Sequence, residues 1–331
     1  MTALHQSVRR TIRRHGLLPP GARVLVALSG GSDSVALTRL LLDLSAHGEF
    51  TLVGLAHLHH GLRASADRDE AFCREFAARL GLPIVVERGD VAAYAASHRL
   101  STEDAARRLR YGFLEGTAAA LGATCMAVGH TQDDQAETLL LRLMRGAGLT
   151  GLGGIPPQRD RVIRPLLDVP RADLRVYLEA LGERWVDDET NDDLDIPRNR
   201  IRHRVLAELD HAAGGPTRPA IARAAALLRE DAGWLDELGR ERFAAVAVEQ
   251  ADGLELDVHG LTQAPPPVRR RVVLEAMRRS ADGREIGLEH VEAVLGLLTA
   301  GPAGVDRGVD VPGSRVERRG DKLVLVPHAG R

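Results

Sequence analysis

The sequence predicts a parallel-sheet α/β domain followed by a smaller, mainly helical C-terminal domain. Three observations carry this. Strand-length apolar runs alternate with helix-period stretches from residue 23 to residue 143, a Gly-Gly turn follows the first run, and the alternation stops at a Gly-Gly-Pro break at residues 214–216. At 331 residues the chain also exceeds what one core usually supports, which favours two domains.

Arg23 to Leu28 reads as a buried strand, the turn Ser29-Gly30-Gly31-Ser32-Asp33-Ser34 follows, and an apolar-periodic helix runs from Val35 to Leu44. Thr51 to Leu58 is a second strand, Asp67 to Leu80 a helix closed by Gly81, Pro83 to Glu87 a third strand and Thr102 to Leu121 a long helix. Thr124 to Val128 gives a fourth strand, after which Thr131 caps a helix carrying Leu139, Leu140 and Leu143 and ending near Gly146. Strands that alternate with helices imply a parallel sheet covered on both faces. Gly148, Gly151, Gly153, Gly154 and Pro156-Pro157 then mark a mobile loop, a candidate lid. A helix from Arg171 to Leu181 leads to the acidic stretch Asp187, Asp188, Glu189, Asp192, Asp193 and Asp195, which flips into an arginine-rich segment from Arg198 to Arg204. The break at 214–216 puts the domains at residues 1–213 and 217–331. In the second, helices are expected from Ala220 to Ala251, Pro267 to Ser280 and Val291 to Leu298, with short antiparallel strands between Val309 and Val326.

Composition narrows the function classes. With 44% hydrophobic and 27% charged residues the chain is an ordinary globular protein. A net charge of −2 leaves any nucleic-acid affinity to local patches, such as Arg269, Arg270, Arg271, Arg278 and Arg279, or Arg315, Arg318, Arg319 and Lys322. Cys73 and Cys125 lie far apart without a CxxC pair, which argues against a disulfide framework, a zinc site or an iron–sulfur cluster. No apolar run approaches the roughly 20 residues that span a bilayer, so a cytoplasmic protein without membrane contact is expected. Lys322 is the only lysine, so phosphate charge upstream of it must be met by arginine, backbone amides and metal ions.

A glycine pair between a strand and a helix lets backbone N–H groups crowd around an anion, and the helix N-terminus adds roughly half a positive charge. Ser29, Gly30, Gly31, Ser32, Asp33 and Ser34 therefore form a candidate phosphate loop, although neither the spacing nor the lysine of a Walker A motif is present. Asp33 would repel phosphate unless it held a cation, so it is assigned to Mg²⁺; capping of the following helix is the alternative. In Gly129-His130-Thr131-Gln132-Asp133-Asp134-Gln135-Ala136-Glu137-Thr138 a strand end delivers His130 while the helix start clusters carboxylates, with His130, Asp134 and Glu137 on one face. Acidic residues suit any helix N-terminus, yet open α/β sheets place ligands at this edge.

Ser-Gly-Gly-Ser-Asp-Ser matches the SGGxDS signature of PP-loop pyrophosphatases, whose fold resembles that of adenine nucleotide alpha hydrolases. GHTxDDQxET, together with residues His57 to Arg63, Ala106 to Tyr111, Arg164-Pro165-Leu166-Leu167, Asp188 to Asn191 and Arg198-Asn199-Arg200-Ile201-Arg202, resembles the tRNA(Ile)-lysidine synthetase family. The likeness is dense from Val24 to Leu209. His59 stands where that family commonly has Asn or Asp, and longer members carry a further C-terminal domain, so this chain resembles a shorter form.

The resemblance implies a ligase that uses ATP and Mg²⁺ to adenylate the C2 oxygen of the wobble cytidine in the CAU anticodon of tRNA(Ile). Free lysine then displaces AMP to give lysidine, and decoding changes from AUG to AUA. It implies ATP contacts at Ser29 to Ser34, His57 and His130, and metal at Asp33 and Asp134. Asp133, Asp134 and Glu137 are candidates for a second cation or for the lysine ammonium, one carboxylate taking its proton. Arg107 and Arg110 are candidates for the α-phosphate or the cytosine, and Arg198, Asn199 and Arg202 for the anticodon loop. The C-terminal arginines would grip tRNA backbone. Three rivals stay open: a PP-loop tRNA thiolase, a PP-loop synthetase acting on a small metabolite, and an RNA-binding module with a degenerate nucleotide site. The sequence leaves the oligomeric state open.

Overall fold

The computed structural model describes residues 2–59, 61, 66–187, 189–250, 253–281, 283–299 and 307–328. His60, Leu62, Arg63 and Asp188, which belong to motifs quoted above, lie outside these residues. The chain forms two compact units, Met1–Arg229 and Glu230–Arg331. The break falls inside a helix rather than at the expected linker at 214–216. The first turns of that helix belong to the first unit, where Ala225 is buried and Arg229 Nη1 donates to the carbonyls of Gly153 and Ile155 at 2.8 and 3.2 Å.

The first unit begins with α1 (Ala3–Arg14), β1 (Ala22–Ala27), α2 (Ser32–Ser45), β2 (Phe50–His59), α3 (Ala66–Arg79), β3 (Ile84–Arg88), α4 (Val91–His98) and α5 (Thr102–Ala120). It continues with β4 (Cys125–Ala127), α6 (Gln132–Met144), α7 (Leu149–Leu152), the short pair β5 (Gln158–Arg159) and β6 (Val162–Ile163), and α8 (Arg171–Ala180). A 3₁₀ turn (Glu189–Asp192), α9 (Pro197–Arg200), a π turn (Ile201–Val205), α10 (Leu206–Ala213) and the start of α11 (Arg218–Val246) complete it. Sheet order is β3-β2-β1-β4-β6-β5, parallel except for the β5–β6 pair. Val24, Leu25 and Val26 of β1 are fully buried, as a central strand covered on both faces requires. On one face Leu37, Leu40 and Leu41 pack with Phe76 and Leu178; on the other, Leu25 and Met126 pack with Phe113 and Leu114. Strand order reverses between β1 and β4, so the loops leaving their carboxyl ends open side by side.

The glycine-rich stretch after α6 is tied down rather than free. Gln135 exchanges two hydrogen bonds with the backbone of Ile155, at 2.7 and 2.8 Å, and Arg142 Nη1 donates to the carbonyls of Gly151 and Gly154. Gly154 sits at φ +68°, and a Cβ there would meet Gln135 Oε1 at 2.3 Å. Gly154 permits close approach to α6, where the sequence alone presents looseness.

The second unit holds the rest of α11, β7 (Ala247–Gln250), β8 (Gly253–Asp257), α12 (Val258–Gln263), α13 (Pro266–Ser280), α14 (Leu288–Thr299), β9 (Arg307–Val311), β10 (Ser314–Arg319) and β11 (Lys322–Pro327). Its sheet, β7-β8-β11-β10-β9, is antiparallel throughout and larger than expected. Residues 247–250 were expected to continue the helix; pairing of Ala247 with Leu256 and of Val248 with Glu255 makes them a strand. Val272, Val273 and Met277 of α13 pack against Leu323 and Leu325 of β11. Most arginines of the basic patches are matched within the unit: Arg270 by Glu292, Arg271 by Asp236, Arg279 by Glu249 and Glu275, and Arg315 and Arg319 by Glu317. Arg318 donates to the carbonyls of Leu297 and Leu298.

Candidate active site

The turn after β1 is the candidate phosphate loop. Gly30 adopts φ +90°, and Gly31 is the N-cap of α2 without a side chain of its own to bond the first amides. Ser34 closes the loop inward: its Oγ accepts from Ser29 N at 3.1 Å and donates to the Gly31 carbonyl at 3.0 Å. Ser29 Oγ lies 3.1 Å from the same hydroxyl and accepts from Gly31 N, so these two serines shape the loop, while Ser34 N and Val35 N donate to the Gly31 carbonyl. Gly129, at the end of β4, is required because a Cβ there would press on the Asp33 and Ser34 backbone at 3.2 Å. His57 is buried beneath the loop, with Nδ1 2.9 Å from the Leu28 carbonyl, to which it donates, and 3.3 Å from Cys73 Sγ. Burial lowers its pKa and keeps the ring neutral, which leaves Nε2 as an acceptor.

Three carboxylates converge beside this loop. Asp33 comes from the first turn of α2, and Asp134 and Glu137 from α6 one turn apart. Asp134 divides its work: Oδ2 accepts from Thr131 N at 2.7 Å and Thr131 Oγ1 at 2.9 Å, a capping box, while Oδ1 faces Arg171 at 3.1 Å and Arg198 at 2.8 Å. Burial alone would raise its pKa, but the two guanidinium groups and the Thr131 amide outweigh that and bring it to about 2. Glu137, with no exposure at all, accepts from Arg198 Nε at 2.6 Å and Arg202 Nε at 2.7 Å. Asp33 Oδ2 accepts from Arg171 Nε at 2.9 Å, and burial nonetheless raises its pKa. His130 Nδ1 accepts from Arg164 Nε at 3.2 Å, which places the ring proton on Nε2. Burial, with Arg164, Arg198 and Arg110 nearby, lowers its pKa to about 4.

Comparison with known proteins was made against this geometry. Residues 3–209 match the family described as PP-loop domain. The tRNA(Ile)-lysidine synthase of Dehalococcoides mccartyi is 38% identical over 320 residues, covering 93% of this chain and 67% of that protein. That of Geobacter sulfurreducens is 40% identical over 91% of this chain and 65% of its own length, and that of Chlorobaculum tepidum 34% identical over 90% and 89%. The chain belongs to the tRNA(Ile)-lysidine synthase family. It spans about two thirds of the length of the first two relatives. A tRNA thiolase from Methanococcus maripaludis, solved with its iron–sulfur cluster, superposes with a TM-score of 0.54 at 16% identity over 69% of this chain and 78% of that one, a likeness of fold alone.

Within this lysidine synthase family member, the structure brings together Asp33, Asp134, Glu137, His130, Arg198 and Arg202, and separates Asp133 from them. Asp133 Oδ2 accepts from Arg171 N at 2.8 Å, at the start of α8, and Oδ1 faces Arg218 at 3.3 Å. It fastens three helices instead of facing the other carboxylates. Arg198 and Arg202, expected at the anticodon loop, are spent on Glu137 and Asp134, and buried Asn199 donates to the Asp193 carbonyl at 2.8 Å. Arg107 lies over the Tyr111 ring, 5.1 Å from its centre, and Arg110 stands on the same helix, near enough to influence His130. Arg171 and Arg164 were missed as site residues. A sign of Arg171 was legible, since a cation in the first turn of a helix opposes the helix dipole and needs a carboxylate partner.

Asp33 and Asp134 fit a divalent cation. Both present hard carboxylate oxygens to one intervening guanidinium, and Mg²⁺ asks for one or two carboxylates besides phosphate oxygens. Among the described residues, His59, Asp67 and Glu70 also bring ligand-type atoms within 4.8 Å of one another. There, however, His59 Nδ1 accepts from Gly61 N, which directs a protonated Nε2 at Asp67, and Arg88 already bridges Asp67 and Glu70 at 2.8 and 3.0 Å.

Proposed function

We propose that this chain joins free lysine to C2 of the wobble cytidine in the CAU anticodon of tRNA(Ile), using ATP and Mg²⁺. The observation that carries the reading is the convergence of Asp33, Asp134 and Glu137 beside the phosphate cradle, at the switch point between β1 and β4. The α2 amides receive the β- and γ-phosphates, so that attack of the cytidine C2 oxygen on the α-phosphorus expels pyrophosphate into a positive field. Asp33 and Asp134 would hold Mg²⁺, which would supply charge neutralisation on the departing pyrophosphate. Neutral His130 offers an Nε2–H donor, and Arg110 on the neighbouring helix meets phosphate or cytosine oxygen.

In the second half, the lysine ammonium gives one proton to solvent, the free amine nitrogen bonds to C2, the C2–O bond breaks, AMP leaves with the oxygen, and the new C2 nitrogen sheds a further proton to solvent. Glu137 is the carboxylate that would hold that ammonium, exchanging one of its three arginine partners for it. Asp134, held at about 2, is too weak a base for the proton and remains an anion throughout. The thiolase rival loses support because both cysteines are buried and burial raises their thiols to about 12 and about 11.

The test is incorporation of labelled lysine into an unmodified tRNA(Ile) transcript with a CAU anticodon, beside Asp33→Ala. Label entering only with the unaltered protein supports the reading. AMP and pyrophosphate formed with another RNA or amine, and no label, would sink it.

A further inference from the structure

Arg171 occupies an unusual position, because its three guanidinium nitrogens each face a different carboxylate: Nε to Asp33 at 2.9 Å, Nη2 to Asp134 at 3.1 Å and Nη1 to Glu137 at 3.7 Å. Its side chain is 16% exposed, and its backbone amide is fixed by Asp133, so any departure must be a swing of the side chain alone. The partners are not equally dependent on it. Glu137 keeps Arg198 and Arg202, and Asp134 keeps Arg198 together with its capping bonds. Asp33 has, among the described residues, no ion-pair partner besides Arg171; its other oxygen accepts from Ser32 Oγ at 3.2 Å. A buried carboxylate stripped of its counter-charge is strongly unfavourable, so only the arrival of another cation lets Arg171 leave.

We infer that Arg171 and a divalent cation are alternative occupants of the Asp33–Asp134 pair, and that Arg171 turns onto an incoming phosphate as the cation enters. The inference rests on the assignment of Asp33 and Asp134 as cation-holding carboxylates. A guanidinium is suited to the exchange, since its fork matches carboxylate and phosphate oxygens equally well. The consequence is an order of loading: without nucleotide the carboxylates hold their own arginine and take up metal weakly, and metal enters together with the phosphate that receives Arg171. Arg171 is thus a positioning residue that holds Asp33 in place.

The experiment is calorimetric titration of Mn²⁺ into the metal- and nucleotide-free full chain. Arg171→Met is expected to bind Mn²⁺ tighter than the unaltered protein by on the order of tenfold to a hundredfold, as removal of a cation in direct contact with two half-shielded carboxylates requires. Arg171→Lys, which returns a cation, is expected to fall back toward the unaltered affinity, and Arg171→Met with Asp33→Asn to lose the gain. Arg171→Gln, which keeps a hydrogen bond to Asp33 and preserves packing, is run beside the methionine variant and moves in the same direction. Mn²⁺ binding no tighter in Arg171→Met and Arg171→Gln than in the unaltered protein overturns the inference, as does a gain that survives Asp33→Asn. Because the readout is ion binding, this result and the lysine-incorporation result can fail independently.

Discussion

Acidification should destabilise the first unit in part through His130. The ring is half-buried, accepts from Arg164 and lies near Arg198 and Arg110, and desolvation with these charges drives its protonation from an ordinary 6.5 down to about 4. A histidine that is harder to protonate when folded contributes stability that is fully present above 6.5 and is lost as the pH falls toward 4, because the unfolded chain binds the proton first. At about 1.4 kcal/mol for each tenfold change in proton affinity, the displacement is worth about 3 kcal/mol. The assay is urea unfolding at pH 7, 5.5 and 4 on the unaltered protein and on His130→Asn, whose Oδ1 can take over acceptance from Arg164. The unaltered protein should lose about 3 kcal/mol more than the variant across this range. His57, also held neutral by burial, titrates in both proteins and cancels in the comparison. Parallel pH profiles for the two proteins would refute the placement of a neutral His130 inside the arginine cluster.

Other outcomes follow from the same contacts. Glu137→Gln strips the carboxylate partner from Arg202 and leaves Arg198 with Asp134 alone; with those side chains 21% and 36% exposed and able to hydrate in part, the loss should be about 2–3 kcal/mol, a fall in Tm of about 4–12 °C, and an unchanged Tm would contradict the ion-pair assignment. Asp133→Ala should lower stability by about 1–2 kcal/mol through the lost α8 cap while keeping RNA-dependent ATP–pyrophosphate exchange within about tenfold. A hundredfold loss of exchange at unchanged Tm would return Asp133 to the chemistry. Gly154→Ala forces a side chain into left-handed backbone and against Gln135, so unfolding in urea should weaken by about 2–3 kcal/mol; a stability equal to the parent's would mean that the glycine-rich segment is not pinned.

Local rules made much of the first unit legible. The β1–loop–α2 unit follows from an apolar run, a glycine pair and a periodic helix, and Thr131 was legible as the cap of α6. Elements defined by distant partners were not legible. β6 is two residues long and exists because it pairs with β4, while β7 is a strand because β8 lies beside it. The π turn at residues 201–205 leaves no periodic signature, yet it sits in the segment that directs Arg202 at Glu137. The surroundings of the C-terminal arginine patches were hidden for a related reason: strings of arginine are visible in sequence, but the carboxylates that pair with them come from other elements, as Glu292 does for Arg270.

What the sequence by itself determined is the parallel α/β architecture, the phosphate cradle and the identity of the acidic residues beside it, because backbone conformation and hydrophobic periodicity are set within a few residues. Only the tertiary structure decided which charge faces which. Arg171 reaches Asp33 across 138 positions and Arg202 reaches Glu137 across 65, separations over which no local preference acts. The division of labour between Asp133, a fastener of helices, and its neighbour Asp134, which faces the arginine cluster, arises because consecutive residues on a helix point about 100° apart, and the packing of α8 and α9 determines what each one meets.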